Sequence, residues 1–390
     1  MLCACSPLPN ADLIELDHKD YKTLHDKSGN LCFTDYPWNT YLGGIDPAKL
    51  ILSYHNFEKT PDNLQKILEG MQRAFPAKFY KIATMARSSL DALRMLDFVR
   101  KNPGVIGLCM GDLGKPTRIL APLFGTPIMY TGSLDSALGQ VSLDVLLEVY
   151  HVRKLHAKTP LYGLIGNPLA QSPGHLYHNM LMKGKGVYCK IPLKNAELSS
   201  FFQYARQMPF RGLSVTIPHK EAVLPFLDEI DEEAKQIGAV NTITFRGGKL
   251  IGSNTDGRAV LELLGDVKGR KIFILGAGGA ARAVAYTLGK AGGKVTIFNR
   301  TEERAKKLAS EFGCRYGSLE TITNNCDILI NATPYSIPLS EEGIQPSSII
   351  MDLSLMLEQS RKEKAEYQLI RGLEVYFVQA ALQRESWQLL

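Results

Sequence analysis

Residues 271–301 read KIFILGAGGAARAVAYTLGKAGGKVTIFNRT, an order of patterns that few folds accept. An apolar run at 272–275 ends in a glycine-rich turn, apolar residues recur at helical spacing over 282–291, and a second apolar run follows at 294–298. Strand, tight turn, helix and strand at this spacing predict a βαβ unit. Glycine permits the turn, and missing side chains let backbone N–H groups approach a pyrophosphate at the helix N-terminus. Gly276, Ala277, Gly278, Gly279 and Ala280 are therefore candidate cofactor-binding residues. The end of the second strand decides which cofactor. An NAD site places a carboxylate there, roughly twenty residues past the glycines, on the ribose hydroxyl. This chain has Asn299, Arg300 and Thr301, with Arg304 one turn on. Guanidinium groups grip a 2′-phosphate that a carboxylate would repel, so the cofactor expected is NADP(H).

The chain in front of this unit is α/β throughout, and its 390 residues allow two or three domains. Short β-rich runs at 12–17, 49–55, 79–85, 105–111 and 126–132 alternate with helical patterns at 61–75 and 89–101. Such alternation predicts parallel β/α packing, but five strands fall short of the eight of a closed (β/α)8 barrel. A polar stretch at 152–160, ending in proline, reads as a linker. A new alternation then begins with LYGLIGN, GVYCKIPL, GLSVTIPH and AVNTITFRGGKLIG, the last a hairpin turning on two glycines. Residues 376–389 are apolar at helical spacing and are expected to pack back on an earlier domain. The boundaries that follow are 1–155, 160–260 completed by about 372–390, and 261–371.

Lys plus Arg number 45 and Asp plus Glu 39, a net charge of +6 with no basic run. That excludes a nucleic-acid surface and suits anionic small substrates. No apolar stretch reaches the ~18 residues of a membrane span, and the start, MLCACSP, lacks the basic and apolar regions of a secretory signal. Seven scattered cysteines form no C-x-x-C pair, which predicts reduced thiols in a cytoplasm and no structural metal.

Three segments upstream of the glycine turn carry polar residues at strand ends: 212–221 (GLSVTIPHKE), 238–242 (GAVNT) and 253–257 (SNTDG). V-T-x-P-x-K, G-A-V-N-T and N-T-D-G in that order, then G-x-G-G-A and N-R-T, closely resemble the motifs of shikimate dehydrogenases over about residues 161–390. The resemblance implies a two-domain enzyme with an α/β substrate domain and a Rossmann NADP domain. It makes Lys220 and Asp256 the catalytic pair, with Asn241, Thr216 and Gln379 on the ring hydroxyls of 3-dehydroshikimate and shikimate. The chemistry agrees, since reducing a ketone needs a proton donor beside the developing alkoxide. Two positions depart from the family. Its S-x-S motif keeps Ser172 but has Gly174, and its D-x-x-Y motif has Asp352 but Leu355.

The first part of the chain resembles a second family. Residues 51–57 (ILSYHNF), 80–83 (YKIA), 110–114 (MGDLG) with Arg118, and 136–140 (SALGQ) are similar to type I 3-dehydroquinate dehydratases. This implies an imine between Lys81 and 3-dehydroquinate, whose iminium is an electron sink that acidifies the neighbouring proton. It implies His55 as general acid–base, Glu15 as the carboxylate that orients it, Arg118 as carboxylate clamp, and Ser136 and Gln140 on a closing loop. The match begins at the family's fourth strand, residues 12–17, so the expected fold is an incomplete barrel with weak or no dehydratase activity by itself. The whole chain reads as an NADPH-dependent shikimate dehydrogenase fused to a dehydratase-like half-domain. A quinate/shikimate dehydrogenase is the enzymatic alternative, tested by cofactor preference; a shikimate-sensing pseudoenzyme is the other, tested by turnover.

Overall fold

A computed structural model describes residues 14–17, 24–25, 31–32, 47–132, 139–322, 325–335, 348–355 and 367–389. Contacts divide the chain into two compact units. One is Met1–Leu161 with His175–Leu193 and Ser199–Pro209; the other is Tyr162–Gly174 with Lys194–Leu198 and Phe210–Leu390.

The first unit opens with β1 (Ile14–Asp17) and a short antiparallel pair, β2 (Leu24–His25) and β3 (Leu31–Cys32). β1 lies parallel to β4 (Leu50–Asn56), which continues through β5 (Phe79–Met85) to β6 (Val105–Met110) in the order β1-β4-β5-β6. Near-continuous apolar runs such as LILSY and VIGLC suit parallel strands covered on both faces. Helix α1 (Leu64–Ala74) buries Leu64, Ile67, Leu68 and Met71, one stripe at helical spacing. Helix α2 (Ser89–Lys101) starts where the Asp91 carboxylate accepts the Arg87 and Ser88 N–H groups at 2.8 and 3.3 Å.

Residues 126–132, expected as a fifth strand, form none. Pro127 has no N–H to donate, the Tyr130 carbonyl is taken by Arg118 Nη1 at 3.3 Å, and Thr131 Oγ1 donates to the Val141 carbonyl at 2.8 Å. Side chains engage this segment where a ladder would otherwise do so. The polar stretch 152–160 is also more than a linker, since Val152, Leu155 and Thr159 are buried. β7 (Leu161–Gly166) begins where this stretch ends. Helix α3 (Gly174–Met182), β8 (Val187–Pro192) and α4 (Leu198–Ala205) follow, with Asn179 exchanging two hydrogen bonds with the Tyr188 backbone at 2.8 and 2.9 Å.

In the second unit, β7 lies in a sheet with β9 (Phe210–Val215), β10 (Glu229–Ile230), β11 (Thr242–Arg246) and β12 (Lys249–Ser253), in the order β10-β12-β11-β9-β7. The β11–β12 hairpin turns on Gly247 and Gly248, with φ of 58° and 80°, the doubly left-handed turn that glycine pairs supply. Helix α5 (Glu232–Ile237) is capped by Asp231, which accepts the Ala234 N–H at 2.6 Å.

Helix α6 (Asp256–Leu264) leads into a second sheet made of β13 (Lys271–Leu275), β14 (Lys294–Asn299), β15 (Arg315–Ser318), β16 (Ile328–Asn331), β17 (Ile349–Asp352) and β18 (Gln368–Ile370). Every pairing is parallel, in the order β15-β14-β13-β16-β17-β18. The order reverses between β13 and β16, the crevice where such sheets bind ligands. Helix α7 (Gly279–Lys290) starts at Gly279, inside the glycine turn and earlier than the expected residue 282, because the small residues Gly279–Ala281 are themselves helical. α8 (Glu302–Phe312) follows β14, and α9 (Gly372–Ser386) follows β18. As expected for the last helical pattern, this end of the chain packs back. Trp387 Nε1 donates to the Ile243 carbonyl on β11 at 3.1 Å. Among the described residues no helix is long and apolar enough to cross a membrane, and no His/Cys/Asp/Glu group could hold a metal.

Candidate active site

β13 ends at Leu275, and the turn Gly276–Gly278 delivers the chain to the N-terminus of α7. Gly276 has φ +114°, a conformation few side chains tolerate, and its N–H donates to the Phe298 carbonyl at 2.8 Å. A Cβ placed on Gly278 would meet no atom within 4 Å, so the space before α7 is open. Asn299 donates to the Thr301 carbonyl at 2.9 Å, which shapes the turn after β14. Arg300, Thr301 and Arg304 are exposed there, and neither arginine has an ion pair among the described residues. Open space at a helix N-terminus with two uncommitted guanidinium groups at the next strand end fits a dinucleotide carrying a 2′-phosphate.

Lys220 sits on the short helical turn His219–Ala222 after β9, and its Nζ donates to Asp256 Oδ2 at 2.5 Å. Asp256 opens α6, where the positive end of the helix favours a carboxylate. Its other oxygen, Oδ1, accepts from Asn241 Nδ2 at 2.7 Å. Asn241 is 1% exposed, and its amide nitrogen also faces Thr255 Oγ1 at 2.9 Å and Gln379 Oε1 at 3.1 Å. Its amide oxygen accepts the Thr255 N–H and the Thr242 hydroxyl. Lys220, Asp256, Asn241 and Gln379 thus form one bonded cluster from four separate parts of the sequence.

Thr216 lies four residues before Lys220, with its N–H on the Ile165 carbonyl at 3.0 Å. Ser172 Oγ accepts the Gly174 N–H at 3.3 Å, and no bond among the described residues joins Ser172 to the Lys220 cluster. Asp352 is a buried bracing group, accepting Asn331 Nδ2 and the Ser354 N–H, both at 3.0 Å; Leu355 beside it is half-buried. Two residues of the cluster's support escaped sequence reasoning. Gln383 Nε2 donates to the Asn241 carbonyl at 3.0 Å, and its Oε1 accepts the Ser214 hydroxyl at 2.8 Å. The available signal was spacing, since Gln379, Gln383 and Trp387 recur every fourth residue on one face of a helix.

In the first unit, the register pairs Ser53 with Lys81 and His55 with Ala83, so Lys81 and His55 share one face of the sheet. Lys81 is 3% exposed, and its ammonium lies 4.1 Å from the centre of the Tyr130 ring. The Tyr130 carbonyl takes Arg118, so this one residue meets both candidate cations. Arg118 is buried, has no ion pair among the described residues, and is pushed by burial below its ordinary pKa. His55 stacks on Phe57 at 5.7 Å. Gln140 is half-buried. Glu15 is described as backbone only, pairing with Ile51, and Ser136 lies outside the described residues. Burial pushes the Cys109 and Cys189 thiols up to about 11 and about 12, which makes them inert hydrophobes and not nucleophiles.

A parallel sheet of this strand order, a glycine turn at its switch point and a lysine–carboxylate pair beside that turn define a dinucleotide-dependent oxidoreductase. Known proteins narrow the class. Residues 44–157 match the family model of type I 3-dehydroquinase, 164–243 that of the shikimate dehydrogenase substrate binding domain, and 258–350 that of shikimate/quinate 5-dehydrogenase. The shikimate biosynthesis protein AroDE of Chlamydia pneumoniae is 38% identical over 87% of this chain and 73% of its own length. The chloroplastic bifunctional 3-dehydroquinate dehydratase/shikimate dehydrogenase of Arabidopsis thaliana is 35% identical over 78% of this chain, which spans 56% of that longer protein. Shikimate 5-dehydrogenase of Thermus thermophilus, solved with NADP(H) and shikimate, superposes with a TM-score of 0.53 at 33% identity, over 60% of this chain and 94% of that one. The chain belongs to the family in which a type I 3-dehydroquinase segment is joined to a shikimate dehydrogenase.

Proposed function

We propose that this chain reduces 3-dehydroshikimate to shikimate with NADPH, in the pathway of aromatic amino acid biosynthesis. The observation that carries the reading is the Lys220–Asp256 pair, 2.5 Å apart and braced by buried Asn241. NADPH supplies the hydride when bound. Gly276, Ala277, Gly278, Gly279 and Ala280 hold its pyrophosphate, and Asn299, Arg300, Thr301 and Arg304 hold its adenosine phosphate. Lys220 gives a proton to the oxygen that becomes alkoxide, and Asp256 keeps the ammonium aimed. Asn241, Thr216, Gln379 and Ser172 orient the ring hydroxyls and carboxylate. Free buried cysteines support a reducing cytoplasm as the place of action. On this reading the domains are 1–155, 160–260 with 372–390, and 261–371.

The purified chain should turn over 3-dehydroshikimate with NADPH. Lys220→Ala should lower kcat by about 10²–10⁴-fold while NADPH still binds, because the lysine contacts substrate. A variant with near-normal kcat removes Lys220 from the chemistry, and a wild type that binds NADPH without turnover favours the sensing alternative.

A second reading concerns the first unit, where buried Lys81 and an Arg118 without an ion pair among the described residues meet at Tyr130. We propose that this face descends from a 3-dehydroquinate site in which Lys81 forms the imine, His55 moves the proton, Glu15 orients it, and Arg118, Ser136 and Gln140 hold the substrate.

A further inference from the structure

The last two glycines of the turn face different surroundings. Gly278 borders open space, whereas a Cβ on Gly279 would stand 2.9 Å from Lys220 Cβ and 3.2 Å from its Cδ. Carbon atoms rest at about 3.5–4.0 Å, so the bare Cα of Gly279 is the surface against which the lysine stem lies. The crowded atoms begin at Cβ, beside the main chain, where a side chain cannot swing clear.

Lys220 is held at two further points. Its carbonyl accepts the Val240 N–H at 2.7 Å, and its ammonium meets Asp256 at 2.5 Å. Asp256 starts α6 and Gly279 starts α7, and these helices are locked together at Gly257, where a Cβ would lie 2.6 Å from the Ala283 carbonyl. The two helix starts therefore converge on one lysine, one offering a carboxylate and the other a surface without a side chain.

We propose that Gly279 is a positioning residue for Lys220, so that the cofactor turn sets the aim of the proton donor as well as room for the pyrophosphate. The inference rests on the proposed role of Lys220. It adds a second job to one residue of the glycine fingerprint, with Gly278 serving the ligand and Gly279 serving both ligand and lysine.

The test is Gly279→Ala in the full chain. Gly279 is not among the left-handed glycines, and alanine is the better helix former, so the fold is kept. Three quantities are read: kcat, the NADPH Kd by fluorescence titration, and the rate at which an amine-selective reagent labels Lys220, followed by peptide mass spectrometry. The expected result is a kcat loss of about 10–100-fold at saturating NADPH, larger than any rise in NADPH Kd, and Lys220 labelled several-fold faster because its ammonium has left Asp256. Unchanged kcat and labelling overturn the proposal. So does a rise in Kd that matches the loss of activity with labelling unchanged, which assigns the glycine to pyrophosphate alone. Labelling needs neither substrate nor cofactor, so a wild type without turnover counts against the proposed function and leaves this comparison standing.

Discussion

The Asn241 amide nitrogen has two hydrogens and three acceptors within 3.1 Å, on Asp256, Thr255 and Gln379. Thr255 relieves the competition because its hydroxyl can turn to donate, lying 3.2 Å from the Gln379 carbonyl. An uncharged residue thereby fixes a carboxylate, and the carboxylate fixes Lys220. At the other end of the site, the proposed cofactor selectivity rests on exposed side chains. Arg300 is exposed and without an ion pair among the described residues, so its charge is available to a 2′-phosphate. Arg300→Asp should weaken NADPH binding at least about tenfold more than NADH binding, as titration of both nucleotides would show. Equal use of the two cofactors by the unmodified chain would remove the phosphate from the account.

Helix α2 offers a test of electrostatics away from the site. Asp97 takes Arg100 at 2.5 Å and Lys101 at 2.6 Å. Burial pushes the Asp97 carboxyl up, but the bonds from Lys101 and Arg100 outweigh it and hold the group below the ordinary carboxylate range. A depressed carboxylate stabilises the fold above its unfolded pKa, and that contribution is lost as pH falls through the folded value. Asp97→Asn should cost roughly 0.3–1 kcal/mol at neutral pH, small because both partners are well exposed. Urea unfolding should show the difference shrinking toward zero as the pH drops through the carboxylate range.

Elements of this kind were legible in sequence wherever period and punctuation agree. Residues 89–101 and 79–85 read correctly to the residue, because a polar N-cap and a compact apolar run leave no competing pattern. Residues 126–132 misled because β-propensity says nothing about whether a neighbouring edge is there to pair with. The Lys220, Asn241 and Asp256 motifs stand out as short polar insertions at strand ends, but Gln383 and Ser214 look like any polar residues on a helix and a strand. Their place emerges only when residues 169 positions apart are brought to 2.8 Å.

At the scale of the whole molecule the two proposed activities part company. Among the described residues the dehydratase-like sheet has four parallel strands, β1, β4, β5 and β6, against the eight of a closed barrel. Lys81 chemistry needs walls that hold the substrate to well under an ångström or two. Borohydride reduction with 3-dehydroquinate should therefore give this chain little Lys81 adduct by mass spectrometry, beside ready reduction of 3-dehydroshikimate. Efficient trapping would show that this sheet suffices. The dehydrogenase carries a different constraint, set by α9. Asn241 receives its side-chain partner from Gln379 and its carbonyl partner from Gln383, the latter 142 residues downstream. A nascent chain halted between Ala280 and Gly372 already holds Lys220, Asp256 and the whole glycine turn, yet lacks the Gln379 and Gln383 bonds that brace Asn241. Synthesis must run nearly through Trp387 before the ribosome releases anything able to reduce its substrate, so premature stops yield inert polypeptide and not a slow enzyme.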